Sequence, residues 1–369
     1  MTEFKSIVDK FNKKYGSDII TNGLKPLEYD AIPFSSVYLN YMLHGGFPRA
    51  RVVEFFGPES GGKTTTALDV VKNAQIVFKK EWEEKVEKLS APTKKSDKLE
   101  LEKITESGPL KCVYFDLEHT LNEEWARMLG VNLEENFYLV SPDAQSAEEL
   151  LDLIVDMVSS EEVGLVVLDS ICYLEPMAEL NESLEKKSYG GISKLLSSFF
   201  RKVTPYLHKF TSSLLIINQL RDSMDLYKLY DTPGGRALKH ACSVRIMFKK
   251  GELYNEKFEA IKKSSELAFG NQVLVKIEKS KISKPDRIVG FYKLSYYSGI
   301  EKESELADFM LKFGLITQAG SWFTFIDPES GEILDGFKAQ GMPKVVELLK
   351  NNPELFNLYT TYINNNMIK

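Results

Sequence analysis

The residues most able to do chemistry begin at Gly57. The run Gly57-Pro58-Glu59-Ser60-Gly61-Gly62-Lys63-Thr64, with Thr65 behind it, fits GxxxxGK[ST], follows an apolar stretch and opens a helical pattern. Glycines at this spacing let backbone N–H groups turn inward around phosphate oxygens, and a helix N-terminus adds positive potential. Lys63 then meets the terminal phosphates and Thr64 ligates Mg²⁺. Asp169 ends the apolar run VGLVVLD, where the water shell of a Mg²⁺ ion needs negative charge; a strand-ending Asp also serves elsewhere as a helix cap. Glu118 follows CVYFDL. Hydrolysis needs a base that orients a water in line with the γ-phosphate, and Asp116 competes with Glu118 for that role. Gln219 and Arg221 follow SLLIIN; a polar side chain there can sense a γ-phosphate or simply cap a strand.

These residues need a scaffold that holds them at one edge. Arg51–Phe56, Cys112–Phe115, Phe137–Val140, Val163–Leu168 and Ser213–Ile217 read as short, fully buried strands. The stretches Ser146–Val158 and Lys194–Leu207 between them have helical spacing. Strand–helix alternation predicts an α/β fold with a mostly parallel sheet covered on both faces. Ser243–Phe248, Val273–Ile277 and Val289–Leu294 are expected to extend that sheet. Phe4, Ile7, Val8 and Phe11 follow i, i+3, i+4, i+7 spacing, so the chain begins with an amphipathic helix ending near Tyr15-Gly16. That helix can pack on its own domain or on a neighbouring subunit.

Lys79–Thr105 differs from its surroundings: fifteen of its 27 residues are charged, with both signs mixed, and Pro92 divides it. It reads as a charged helical hairpin or a solvated excursion. From about Ser298 a further unit begins, with a helix at Glu303–Phe313, a hairpin at Ser321–Ile333 and a helix at Pro343–Lys350. The expected division is therefore 1–32, 33–297 with the insertion 79–105, and 298–369.

A chain of 369 residues with 43% hydrophobic and 27% charged residues suits a globular core with smaller attachments. No apolar run approaches the roughly 20 residues needed to span a bilayer. The first residues lack the apolar centre of a signal peptide, so a cytoplasmic location without membrane partners is expected. Cys112, Cys172 and Cys242 form no CxxC pair, and the four histidines are scattered, so neither a disulfide framework nor a metal cluster is indicated. The net charge of −6 argues weakly against nucleic acid, but nucleic acid responds to local patches rather than to the average.

Taken in order, GPESGGKTT, YFDLEHTLNEEWARMLGV, VVLDS, LLIINQLR, TPGGRALKHACSVR and KIEKSKISKP resemble the bacterial RecA recombinase family, and FFRKVTPY resembles its phage-encoded members. The likeness runs from the N-terminal helix to ELADFMLKFGLITQAGSWF and leaves out Lys79–Thr105, a shorter stretch around Tyr254–Ala268 and the tail after about Tyr359. It implies a RecA-type P-loop ATPase core, an N-terminal polymerisation helix and a small C-terminal α/β domain, with ATP and Mg²⁺ as cofactors. By the same resemblance Glu118 activates water, and Gln219 couples the γ-phosphate to the DNA loops. Trp125 stacks on adenine. Asn122 stands where an acidic residue usually meets the base. Lys279 and Lys281 reach the ATP of the adjacent subunit.

The resemblance also implies two DNA loops. The first is Glu182–Gly190, with Lys186, Lys187, Tyr189 and Gly190, continued by Gly191, Lys194, Ser197 and Arg201 on the next helix. Tyr189 stands where an apolar side chain usually separates base triplets; an aromatic can wedge or stack there too. The second is Asp222–Pro233, flanked by Arg221 and by Gly234, Gly235 and Arg236; its three aspartates and Arg236, in place of the usual Asn, depart from the family. The function implied is ATP-dependent filament formation on single-stranded DNA, pairing with homologous double-stranded DNA and strand exchange, assisted by single-strand-binding and loader proteins. Two other classes share parts of this set: a hexameric RecA-fold helicase and a non-catalytic DNA-binding accessory protein.

Overall fold

The computed structural model describes residues 3–15, 20, 30–91, 94–180, 191–222, 230–261, 267–284 and 286–368. Two units emerge, Met1–Asp30 and Ala31–Lys369. The first contains the expected amphipathic helix, Glu3–Tyr15. Asn12 fixes the chain beyond it by donating to the Ile20 carbonyl and accepting from its N–H, both at 2.9 Å. Phe4 and Ile7 of its apolar stripe are exposed.

The second unit is built on a nine-stranded mixed sheet. In chain order its strands are β1 (Val52–Gly57), β2 (Lys111–Asp116), β3 (Phe137–Val140), β4 (Val163–Asp169), β5 (Ser213–Gln219), β6 (Val244–Tyr254), β7 (Gly270–Ser280), β8 (Val289–Ser295) and β9 (Gly299–Ile300). Their spatial order is β9-β8-β7-β6-β1-β5-β4-β2-β3. The strands from β6 to β3 pair in parallel, and β7, β8 and β9 add on antiparallel. All eight strands expected from the apolar runs are present, most lengthened by one to several residues.

Side chains alternate between two cores, as the period of a strand requires. Val53, Phe55, Cys112, Tyr114, Leu165, Val167, Leu215 and Ile217 face the helix Lys63–Leu89. Val52, Val113, Phe115, Val166, Leu168, Leu214 and Ile216 face the helices Ala147–Ser159 and Gly191–Phe210. Ser146 and Glu149 close the first of these helices with a capping box, so Ser146 lies just outside it and not inside, as periodicity alone suggested.

The charged insertion is helical. The helix that starts at the phosphate loop continues unbroken to Leu89, because its Glu- and Lys-rich second half favours helix. A second helix, Lys95–Ser107, returns beside it. Trp82 ties the two by donating its indole N–H to the Ile104 carbonyl at 2.9 Å. Phe78 anchors the base, and Gly164 in β4 permits it: a Cβ there would lie 2.5 Å from the Phe78 ring.

A small C-terminal α/β subdomain follows. Helix Lys302–Lys312 leads to three antiparallel strands, Ile316–Ala319, Trp322–Ile326 and Ile333–Gln340, and then to helices Met342–Asn351 and Pro353–Ile363. The expected hairpin, Ser321–Ile333, covers Trp322–Ile326 and only the first residue of Ile333–Gln340; Ile316–Ala319 lies before it. The last helix was missed because Asn351-Asn352-Pro353 reads as a stop, whereas Pro353 occupies the first helical turn. Tyr38, on helix Val37–Met42, joins this subdomain to the sheet, its ring 5.0 Å from Phe309 and 5.2 Å from Phe291.

Glu305 closes the same junction. It accepts from the Ser36 hydroxyl (2.5 Å) and the Tyr38 N–H (2.8 Å) at the start of helix Val37–Met42. Only 1% exposed, its carboxyl is pushed by burial from 4.5 up to about 8. The folded chain thus holds a proton there that the unfolded chain releases. The associated stability is fully present below the unfolded value and is lost as pH rises through the folded one. Between roughly pH 5 and 8, the unfolding free energy of the natural chain should fall faster than that of Glu305→Gln, by up to about 1.4 kcal/mol per pH unit. Denaturant melts at several pH values measure this, and parallel pH curves for the two proteins would remove the assignment.

Candidate active site

Parallel register decides which residues meet. Gly57 is level with Gln219, and Asp116 with Asp169. Since β1, β5, β4 and β2 are consecutive in the sheet, four polar strand ends share its C-terminal edge, the usual ligand edge of a parallel α/β sheet.

The loop leaving β1 is shaped for a ligand that approaches backbone. Gly57 has φ 153° and Gly62 φ 89°, and a Cβ on Gly57 would lie 2.0 Å from the Phe248 carbonyl oxygen. Gly62 directly precedes helix Lys63–Leu89, so the first helical N–H groups point into the loop. Lys63 Nζ donates to the carbonyls of Gly57 (3.1 Å) and Pro58 (2.7 Å), spanning the loop. Burial lowers its pKa; Asp169, Glu118 and Glu59 oppose that shift. Thr64 donates its hydroxyl to Asp169 Oδ2 at 3.0 Å. Tyr114 donates to the same oxygen at 2.6 Å. Burial raises Asp169 to about 6, against both hydrogen bonds. A hydroxyl and a carboxylate side by side are the hard oxygen donors that Mg²⁺ takes, so loop and donors fit a Mg²⁺–nucleotide.

Beyond this pair lies Glu118. Its Oε1 accepts from Ser170 Oγ (2.7 Å) and Gln219 Nε2 (2.9 Å). Asp116 instead turns to backbone, accepting from the N–H groups of Thr120 (3.2 Å) and Leu121 (2.9 Å), and is 4% exposed. Of the two carboxylates, Glu118 is the one joined to Gln219.

Trp125 lines an open cleft of about 330 Å³ with Ser60–Thr65, Lys250, Asn271, Leu294 and Tyr296. Asn122 is the N-cap of helix Glu123–Met128, accepting from the Trp125 N–H at 2.7 Å, and so fixes where Trp125 begins its turn. Sequence reading missed Lys250, Asn271 and Tyr296, which come from β6, β7 and the turn after β8 and share no spacing with the loop. It also missed Tyr114, which looks like another core residue inside an apolar strand.

Lys279 and Lys281 do not join this edge. Lys279 pairs with Arg245, and Arg245 with Glu54, three residues before Gly57. At about 3.3 Å per residue, Lys279 sits roughly 10 Å behind the phosphate loop. Both ammonium groups converge on the end of helix Gly235–Ala241. Lys279 donates to the carbonyls of Lys239 and His240, and Lys281 to that of His240 (2.9 Å).

The second candidate surface is partly described. Lys194, Ser197 and Arg201 are exposed on helix Gly191–Phe210, opposite its buried Leu196, Phe199, Phe200 and Val203. Gly234 and Gly235 sit tightly against that helix: added Cβ atoms would lie 3.3 Å from Leu196 and 2.7 Å from Ser193 Oγ. Exposed Arg236 is thereby brought beside the helix that carries Gly191, Lys194 and Ser197. Arg221 is exposed on a two-stranded ribbon, Arg221–Asp222 with Tyr230–Asp231. Lys186, Lys187, Tyr189, Gly190 and residues 223–229 lie outside the described residues.

A family model described as the RecA N-terminal domain matches residues 2–80 and 95–301. The chain belongs to the RecA family. The stretch between the two matched blocks, 81–94, belongs to the far part of the helical hairpin, while the returning helix Lys95–Ser107 lies inside the second block, so the unmatched stretch is shorter than Lys79–Thr105. Curated relatives named Protein RecA include those of Campylobacter jejuni, 31% identical over 369 residues (98% of this chain, 92% of that protein), Cutibacterium acnes, 33% over 332 residues (89% and 80%), and Mycoplasma mobile, 28% over 366 residues (98% and 95%). The similarity therefore includes the C-terminal subdomain. Family membership supports nucleotide-hydrolysing activity with ATP and Mg²⁺, DNA binding and self-association in general terms. Among the described residues no helix is long and apolar enough to cross a membrane.

Proposed function

We propose that this chain is an ATP-dependent recombinase that assembles as a helical filament on single-stranded DNA, pairs it with homologous double-stranded DNA and exchanges strands. The observation that carries this reading is the separation of Lys279 and Lys281 from their own phosphate loop. Two lysines held together at the far end of the sheet cannot serve the nucleotide of their own chain. In the proposed reading they serve a nucleotide held by a neighbour, as an arginine finger does in trans.

In this reading Gly57–Thr65 hold the phosphates, Thr64 and Asp169 hold Mg²⁺, and Trp125 and Tyr296 flank the base. Bound Mg²⁺ neutralises the charge that develops on the transferred phosphoryl group. Glu118 orients the attacking water and takes its proton, while Gln219, already bonded to Glu118, reports the γ-phosphate. The exposed Lys194, Ser197, Arg201 and Arg236 supply phosphate contacts to DNA, and Lys186, Lys187 and Tyr189 complete that surface. The exposed Phe4 and Ile7 on the N-terminal helix suit a helix that docks on the next subunit.

Glu118→Gln keeps the shape of the side chain but cannot accept the proton. It should bind ATP and single-stranded DNA normally while hydrolysis falls roughly 10²–10⁴-fold. If Asp116→Asn stops turnover and Glu118→Gln does not, the base is Asp116.

Complementation tests the shared site. The double variant Lys279→Ala/Lys281→Ala should bind nucleotide through its intact loop yet hydrolyse poorly, and Lys63→Ala should fail at the loop itself, losing roughly 10²–10³-fold in rate. A mixture contains interfaces with one intact loop and one intact lysine pair. DNA-stimulated ATPase should therefore exceed the sum of the separate activities. No recovery, despite demonstrated co-assembly, would place the lysines outside the reaction.

A further inference from the structure

Gln219 follows a residue whose own surroundings are unusual. Asn218 is fully buried near the end of β5, and its amide uses its whole hydrogen-bonding capacity. Nδ2 donates to Glu54 Oε1 (2.8 Å) and to the Pro233 carbonyl (3.0 Å). Oδ1 accepts from the Gln219 N–H (2.9 Å) and from Cys172 Sγ (3.3 Å). One side chain thus ties together β1, the turn after β4, the end of β5 and the Thr232–Pro233 segment.

Its main anchor is a buried charge. Glu54 is 0% exposed in the middle of β1, a position that an unpaired carboxylate cannot hold. Arg245 of β6 compensates it by donating Nε to Glu54 Oε2. Arg245 also lies over the Phe56 ring, 4.7 Å from its centre, and donates Nη2 to Thr232 Oγ1 at 3.2 Å. Asn218 and Arg245 therefore hold the Thr232–Pro233 segment twice, one at a carbonyl and the other at the adjacent hydroxyl. Both grip Glu54, one at each oxygen.

We propose that Asn218, braced by the Glu54–Arg245 pair, is a positioning residue that couples the Thr232–Pro233 segment to Gln219 and, through it, to Glu118. Displacement of Pro233 strains the amide that fixes the Gln219 N–H, and Gln219 Nε2 is the group bonded to Glu118. Asn218 is fully buried and none of its side-chain hydrogen bonds goes to the phosphate loop, so it acts on hydrolysis through its neighbours. The inference rests on the reading above, in which Glu118 serves hydrolysis, and on the second DNA loop that the family resemblance implies at Asp222–Pro233.

The test uses the full chain with Asn218→Ser, which removes both amide donors, and with Glu54→Gln, which keeps an acceptor for Asn218 but removes the charge that braces Arg245. ATPase is measured with and without poly(dT), together with ATP KM, poly(dT) affinity and melting temperature. For Asn218→Ser the DNA-stimulated kcat should fall about tenfold, the equivalent of one lost buried hydrogen bond. KM, poly(dT) affinity and the DNA-free rate should change less than about twofold. Glu54→Gln should shift the same ratio in the same direction and less far. A folded Asn218→Ser that retains full stimulation overturns the proposal, as does an equal fall in stimulated and DNA-free rates. If Asn218→Ser does not fold, Glu54→Gln decides by the same two criteria. If the natural chain itself hydrolyses ATP without stimulation by poly(dT), the underlying reading fails first, and the coupling falls with it.

Discussion

Backbone pairing between β1, β5, β4 and β2 sets the positions on which everything else in this molecule depends. Parallel hydrogen bonds fix Gly57 level with Gln219 and Asp116 level with Asp169. A slip of one residue in any of these pairings would move the functional side chain from the sheet edge into one of the two cores. The register is held from both faces by the apolar side chains that alternate along every strand. Within the sheet, Asn218 of β5 donates to Glu54 of β1, whose buried charge Arg245 of β6 balances; breaking such a buried ion pair by removing one partner costs about 3–5 kcal/mol. The polar edge is thus a consequence of core packing, and the loops only finish it.

The same sheet separates two kinds of chemistry. Its C-terminal edge carries two neighbouring hydrogen-bonded groups, Thr64 and Tyr114 on Asp169, and Ser170 and Gln219 on Glu118. Its opposite end carries Lys279 and Lys281, parked on the carbonyls that end helix Gly235–Ala241. Carbonyl oxygens at a helix C-terminus attract cations, which keeps both ammonium groups ordered. In the proposed reading these two ends belong to one reaction, the lysines of one copy meeting the nucleotide held by the next.

Much of this was legible in the sequence, for reasons that differ from residue to residue. The buried strands show as continuous apolar runs because both of their faces are covered. Asp169 and Gln219 show because polarity breaks such a run where it leaves the core. Gly57–Thr64 show because phosphate binding demands glycine at fixed places. Tyr296, Lys250 and Asn271 do not show: they reach the cleft by tertiary folding from three separate segments, and nothing local marks them. Tyr114 is hidden by its apolar neighbours, and helix Pro353–Ile363 by a proline that ends one helix only to start another. The hairpin beyond Phe78 was legible through its mixed charge and the proline that divides it.

The central claim is that the hydrolytic site is completed by a second copy of the chain. Electron microscopy of the full-length protein with single-stranded DNA and a non-hydrolysable ATP analogue tests it most directly. The account predicts helical filaments in which each nucleotide lies between two subunits, with the Gly57–Thr64 loop of one and the Lys279–Lys281 pair of the next on either side of the γ-phosphate. Nucleotide enclosed by a single chain, with both lysines still seated on the carbonyls of their own helix, would contradict it.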